Sequence, residues 1–239
     1  MKTRYPQIRS AGRQNGFTLV EALIGLSLSL IVTTSMVGLM SGSLGSASRI
    51  IQMSQLTDEL RNVMSMMSRD VRRANYSTNS VYCYSNSECG DPTTGIAIQA
   101  GDVTVTTTSG DTCMLFGLDR DWDGNANNDG GGAFRRDTIV NSGGVTVGVV
   151  EVWTGTTVPS CANSANWVAI TDPEFVNITE FTVNTDESFN ETIEGTGGAP
   201  TITLRTRQVQ MAIQGELLLD DTIRRRIEDN VKVRNNLYL

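Results

Sequence analysis

From Phe17 to about Leu44 the chain carries a run of Leu, Ile, Val, Ala, Met, Gly, Ser and Thr with one charge, Glu21. A helix rises 1.5 Å per residue, so about twenty-four residues span roughly 36 Å, enough for a hydrocarbon core of about 30 Å. The pattern then changes. Met53, Leu56, Leu60, Val63, Met64, Met67 and Val71 recur at steps of three and four, with Asp58, Glu59, Arg61, Arg69 and Asp70 between them. That spacing predicts an amphipathic helix with one apolar stripe, continuing the first run to about Ala74. Arg72 and Arg73 suit its carboxyl end, where the helix dipole favours cations. Gly38, Gly42 and Gly45 sit where the halves join. Each weakens helix by roughly 1 kcal/mol relative to Ala, so a bend there is open but not required.

Beyond Tyr76 the pattern is one of strands and loops. Strands are expected at 96–105, 113–118, 138–140, 145–153, 175–183, 202–213 and 231–233. Alternation is clearest in Ile202, Leu204 and Thr206 and again in Val209, Met211 and Ile213, with a slip between the two sets. Asn141-Ser142-Gly143-Gly144 signals a turn, and residues 187–200 read as a polar, Gly-rich loop. The expected class is α+β, a long amino-terminal helix packed on a mostly antiparallel sheet.

The segment ahead of the apolar run is basic. Residues 1–16 contain Lys2, Arg4, Arg9 and Arg13 and no acid. Basic flanks stay cytoplasmic, which sends the carboxyl-terminal part across the membrane to the periplasm. A secretory signal peptide has an apolar core of only about 7–15 residues and an Ala-x-Ala-like cleavage site, which this run does not match. A plain signal anchor explains the length but not Glu21. A carboxylate inside a membrane segment costs about 2.5–3.5 kcal/mol on insertion scales, so Glu21 reads as a functional residue.

Charge and composition exclude several chemistries. The chain has 239 residues, a formal charge of −7 and no histidine. Catalysis by Ser/His/Asp or Cys/His and histidine metal sites are thereby removed. No phosphate loop or dinucleotide glycine pattern is present, and no carboxylate pair stands out. The chain does not read as an enzyme. An acidic chain also argues against broad nucleic-acid binding. Arg224-Arg225-Arg226 is a local basic patch whose favoured reading is a solvated helix face beside Glu228 and Asp229.

Four cysteines allow three pairings. Oxidation is expected in a periplasmic compartment. We favour Cys83–Cys89, which closes a small loop, and Cys113–Cys161, which clamps the middle of the domain. Zinc is disfavoured by the wide, irregular spacing, and no Cys-x-x-Cys is present for redox work. The run 119–129 places Asp119, Asp121, Asp123 and Asn125 at alternate positions with Gly124 among them and Asp129 beyond. This matches the first half of an EF-hand calcium loop, where oxygen ligands two apart let the chain curl around the ion. The closing bidentate Glu is replaced by Gly130, so the match is partial. Calcium is the one cofactor considered; the competing reading is a polar hairpin loop rich in turn formers.

Gly16-Phe17-Thr18-Leu19-Val20-Glu21, between a basic leader and a long apolar helix, resembles the type IV prepilin signature. The helix end from Leu60 to Tyr76, the succession from Cys113 onward and Trp167–Asp172 after Cys161 are similar to PilW-type minor pilins. The resemblance implies cleavage between Gly16 and Phe17 by prepilin peptidase and N-methylation of Phe17. It implies that Glu21 meets the Phe17 amine of a neighbouring subunit. It divides the chain into a removed leader (1–16), a transmembrane assembly half of the helix (17–44), an amphipathic half (45–76) and a periplasmic β-rich domain (77–239). The partners so implied are other minor and major pilins and the inner-membrane assembly platform. The function implied is a low-abundance, non-enzymatic subunit near the filament tip that helps start pilus assembly. A J-type minor pseudopilin of type II secretion carries the same leader and helix. A membrane-anchored binding or adhesin module is the reading from another class; Trp122 and Trp153 would serve it if exposed, but buried core is the commoner fate of such residues.

Overall fold

The computed structural model describes residues 16–76, 103–108, 111–118, 131–162, 164–194, 202–235 and 237–238. The chain consists of two units, Met1–Ile51 and Gln52–Leu239. One helix, α1 (Leu19–Arg72), crosses that boundary without a break, so Gly38, Gly42 and Gly45 are accommodated as ordinary helical residues. Every residue from Gly16 to Ile51 is exposed.

In the second unit the helix buries the expected stripe. Leu56, Leu60, Val63, Met64, Met67 and Val71 are all buried, and Met53 packs half-buried against the same core. Each such side chain contributes roughly 1.5–3 kcal/mol when removed from water, so the stripe and its sheet hold each other in place. The helix stops at Arg72, followed by a turn in which Asn75 adopts a left-handed conformation (φ 63°). Asn tolerates that conformation at helix ends. The Asn75 N–H donates to the Gly117 carbonyl at 2.8 Å, tying the helix exit to the sheet.

Three antiparallel sheets follow. The first has the order β1 (Thr104–Thr108), β2 (Asp111–Phe116), β3 (Gly132–Val140), β4 (Thr146–Trp153), β5 (Trp167–Ala169). The second is β10 (Arg224–Lys232), β9 (Gln208–Leu217), β6 (Val176–Asn184). The third is β11 (Leu237–Tyr238), β8 (Ile202–Thr206), β7 (Phe189–Ile193). The turn at 141–144 joins β3 to β4. There Gly144 takes a positive φ of 78°, and the Asn141 side chain accepts from the Val145 N–H at 2.9 Å. The first two sheets meet where β4 crosses β6. Gly148 makes that crossing possible, because a Cβ there would lie 2.0 Å from the Ile178 carbonyl oxygen.

Several strands differ from the sequence expectation. The run 202–213 is two strands in two sheets: β8 pairs with β7 and β11, β9 with β6 and β10. The slip between the alternating sets falls at Arg207, which belongs to neither strand. The loop expected at 187–200 contains β7, whose five residues are all exposed. Arg224-Arg225-Arg226 is not a helix face; it opens β10, a nine-residue strand that extends the expected 231–233 backward. Alternation explains it: Arg225, Ile227, Asp229 and Val231 turn toward the domain, and Arg224, Arg226, Glu228, Asn230 and Lys232 toward solvent. The strand expected at 138–140 begins at Gly132, and that at 96–105 has its first part outside the described residues.

Candidate functional site

The first turn of α1 is built by Thr18. Its hydroxyl accepts a hydrogen bond from the Glu21 N–H at 3.3 Å, and its carbonyl accepts from Ala22 N–H at 3.1 Å. Thr followed three residues later by Glu is the capping-box pattern, which satisfies orphan donors at a helix start. Phe17, immediately before it, is 82% exposed. The Glu21 carboxylate lies in the first turn, where the helix dipole favours negative charge. Among the described residues it has no ion pair or side-chain hydrogen bond. The apolar run also contains hydroxyls, several of which are satisfied within the helix. Ser27, Thr34 and Ser35 donate to the carbonyls four residues back at 2.8, 2.7 and 2.9 Å. Such back-bonding lets Ser and Thr face hydrocarbon without an unmet donor.

Residues 12–37 match the prokaryotic N-terminal methylation motif. Residues 49–233 match the family described as Prepilin peptidase-dependent protein B. The chain belongs to that family. No curated protein and no solved structure matches it significantly. Membership makes this a type IV pilin-like protein, with prepilin peptidase as the enzyme on which it depends. The apolar part of α1 is long and apolar enough to cross a membrane and, with the methylation motif, serves as a single-pass membrane anchor.

The other candidate residues of this prepilin peptidase-dependent protein fall out as follows. Cys113 and Cys161 form a disulfide with their Cα atoms 6.0 Å apart, whereas Cys83 and Cys89 lie outside the described residues. So do Asp119, Asp121, Asp123, Asn125 and Asp129, together with Trp122. Among the described residues no group of three or more acids or cysteines could hold a metal.

Trp153 has the commoner fate of such residues, the core. It is 1% exposed, its indole N–H donates to the Thr157 carbonyl at 3.1 Å, and its ring meets Trp167 edge-on at 5.5 Å. Arg135 lies over the Trp167 ring at 4.4 Å and pairs with Glu151 and Asp137, each at 2.8 Å. It also donates to the Cys161 carbonyl at 3.3 Å. Trp153 is buried and Trp167 half-buried beside it, so this cluster is structural, a brace around the disulfide.

The arginine triplet is likewise occupied. Arg224 pairs with Glu216 at 2.9 Å, Arg225 donates to the Met53 sulfur, and Arg226 pairs with Glu180 at 2.6 Å and Glu228 at 2.7 Å. Hydrogen bonds to Glu180 and Glu228 raise the Arg226 pKa above its usual value. The Thr18–Glu21 capping arrangement has its own sequence signal, a Thr followed three residues later by Glu, within the processing signature.

Proposed function

We propose that this chain is a minor pilin of PilW type, a subunit of a type IV pilus that helps start assembly near the filament tip and catalyses no reaction. The observation that carries this reading is the continuity of α1. A methylation motif and a family-matched domain share one helix, whose first half is apolar and exposed and whose second half forms the domain core. That is the layout of a subunit drawn out of a membrane into a helical bundle. Prepilin peptidase cuts between Gly16 and Phe17 and methylates the new amine, and the domain from residue 77 onward lies in the periplasm. The Glu21 carboxylate pairs with the Phe17 amine of a neighbour. A lone carboxylate in hydrocarbon is unfavourable and an opposite charge relieves it, so pairing selects one axial register. Other minor and major pilins and the inner-membrane platform are the partners. No specific nucleic acid is required.

A J-type pseudopilin is the second reading, favoured by the same helix layout. An in-frame deletion scored in one strain for surface pili and for secreted protein separates the two. Loss of pili with secretion intact supports the pilus subunit. Loss of secretion with pili intact makes it a pseudopilin. If neither is lost, both assembly readings fail and an anchored binding module takes their place.

A further inference from the structure

The second half of α1 and strand β10 enclose a cleft of about 480 Å³. Four of its arginines come from the helix, Arg61, Arg69, Arg72 and Arg73, and a fifth, Arg234, follows β10. All five are exposed, and no ion pair among the described residues involves any of them. The sequence explains the clustering. Arg61, Ser65, Arg69 and Arg72 repeat at steps of four and three, which places them on one helix face. The Arg234 N–H donates to the Arg72 carbonyl at 3.1 Å, which brings the fifth arginine to the helix end.

The cleft is not purely basic. Glu228 and Asp229 form part of its wall, but each is engaged elsewhere: Glu228 with Arg226, Asp229 with the Ser68 hydroxyl. Buried Met64 and half-buried Ile227 add apolar lining. Five guanidiniums with no ion pair among the described residues stand here on a chain of net charge −7.

We propose that this cleft is a docking site for an acidic segment of another protein, one that presents separate carboxylates around an apolar residue. Guanidinium forks match carboxylates two bonds at a time. A continuous phosphate backbone fits worse, because it would run against Glu228 and Asp229, whereas a peptide can place its carboxylates only where arginines stand. The apolar lining gives a leucine-sized side chain somewhere to go. The chemistry of the cleft is the same whichever machine the chain serves.

The test uses the full chain in neutral detergent and a fluorescent peptide of sequence Glu-Asp-Leu-Glu-Asp-Leu, read by anisotropy. Saturable binding is expected, weakened at least tenfold by Arg69→Ala with Arg72→Ala. Arg69→Lys with Arg72→Lys keeps the charge but loses the fork and should fall between. Glu228→Gln should bind equally or more tightly, with near-ultraviolet dichroism verifying that each variant is folded. Any of four results overturns the proposal: no binding at millimolar peptide, indifference to the arginine changes, stronger competition by a single-stranded oligonucleotide or phosphatidylglycerol, or occupation of the cleft by a second copy in sedimentation.

Discussion

The Thr18 hydroxyl accepts a hydrogen bond from the Glu21 N–H at 3.3 Å. Capping thus uses the Glu21 backbone and leaves its carboxylate for another partner. Thr18→Val keeps the shape and removes the acceptor. Loss of an N-cap costs about 1 kcal/mol, so the amides of residues 19–21 should exchange several-fold faster by hydrogen-exchange mass spectrometry, with Thr18→Ser close to wild type.

Gly148 of β4 and Ile178 of β6 approach closely where the first two sheets meet, with 2.0 Å between a notional Cβ and the Ile178 oxygen. The neighbouring Arg136 also donates to that oxygen at 2.9 Å, which holds it in place. Gly148→Val has nowhere to put its side chain and should destabilise the domain by on the order of 3 kcal/mol or more. Limited proteolysis of the full chain in detergent reads this directly, with Gly143→Ala in the exposed turn as a tolerated control.

The disulfide joins residues 48 apart in sequence. Cross-links over loops of that size contribute about 2–5 kcal/mol. Replacing both Cys113 and Cys161 by Ser should lower the midpoint of urea unfolding followed by tryptophan fluorescence. The Trp153–Trp167 pair beside the bridge makes that signal local as well as global.

Asn235 closes the helix from a long sequence distance. Its side-chain amide donates to the carbonyls of Arg73 at 3.2 Å and Ala74 at 3.1 Å, and the buried Arg207 donates to the Asn235 backbone carbonyl. Asn235→Ala leaves two helix-end carbonyls without this donor and should cost about 1–3 kcal/mol in the same unfolding experiment. Asn235→Asp, an acceptor facing two acceptors, should cost more.

The long helix and its buried stripe were legible because Leu56 to Val71 obey one period and one environment. β10 was hidden because its inward positions include Arg225 and Asp229, which meet Met53 and Ser68 of the helix instead of an apolar core. A strand that packs against polar groups does not alternate in hydrophobicity. β7 gave no signal because both its faces are exposed, so nothing selects Phe189 and Ile193 over Asn190 and Thr192. The break at Arg207 showed as a slip in alternation, but not that the two halves join different sheets. That depends on pairing with β7 and β11, which sequence periodicity does not encode. The processing signature was fully local and needed no fold, whereas the arginine cleft needed the fold to bring Arg234 beside Arg72.

The most direct test of the account is incorporation of Glu21 variants into filaments. Glu21→Gln keeps the size of the side chain and removes its charge; Glu21→Ala removes both. Tagged full-length variants are expressed in the deletion strain, and leader removal and the tagged subunit in sheared filaments are both measured. Normal leader removal with at least a tenfold loss from filaments for both variants is predicted. Incorporation equal to wild type would contradict the assembly role of Glu21 and, with it, the reading of this chain as a filament subunit.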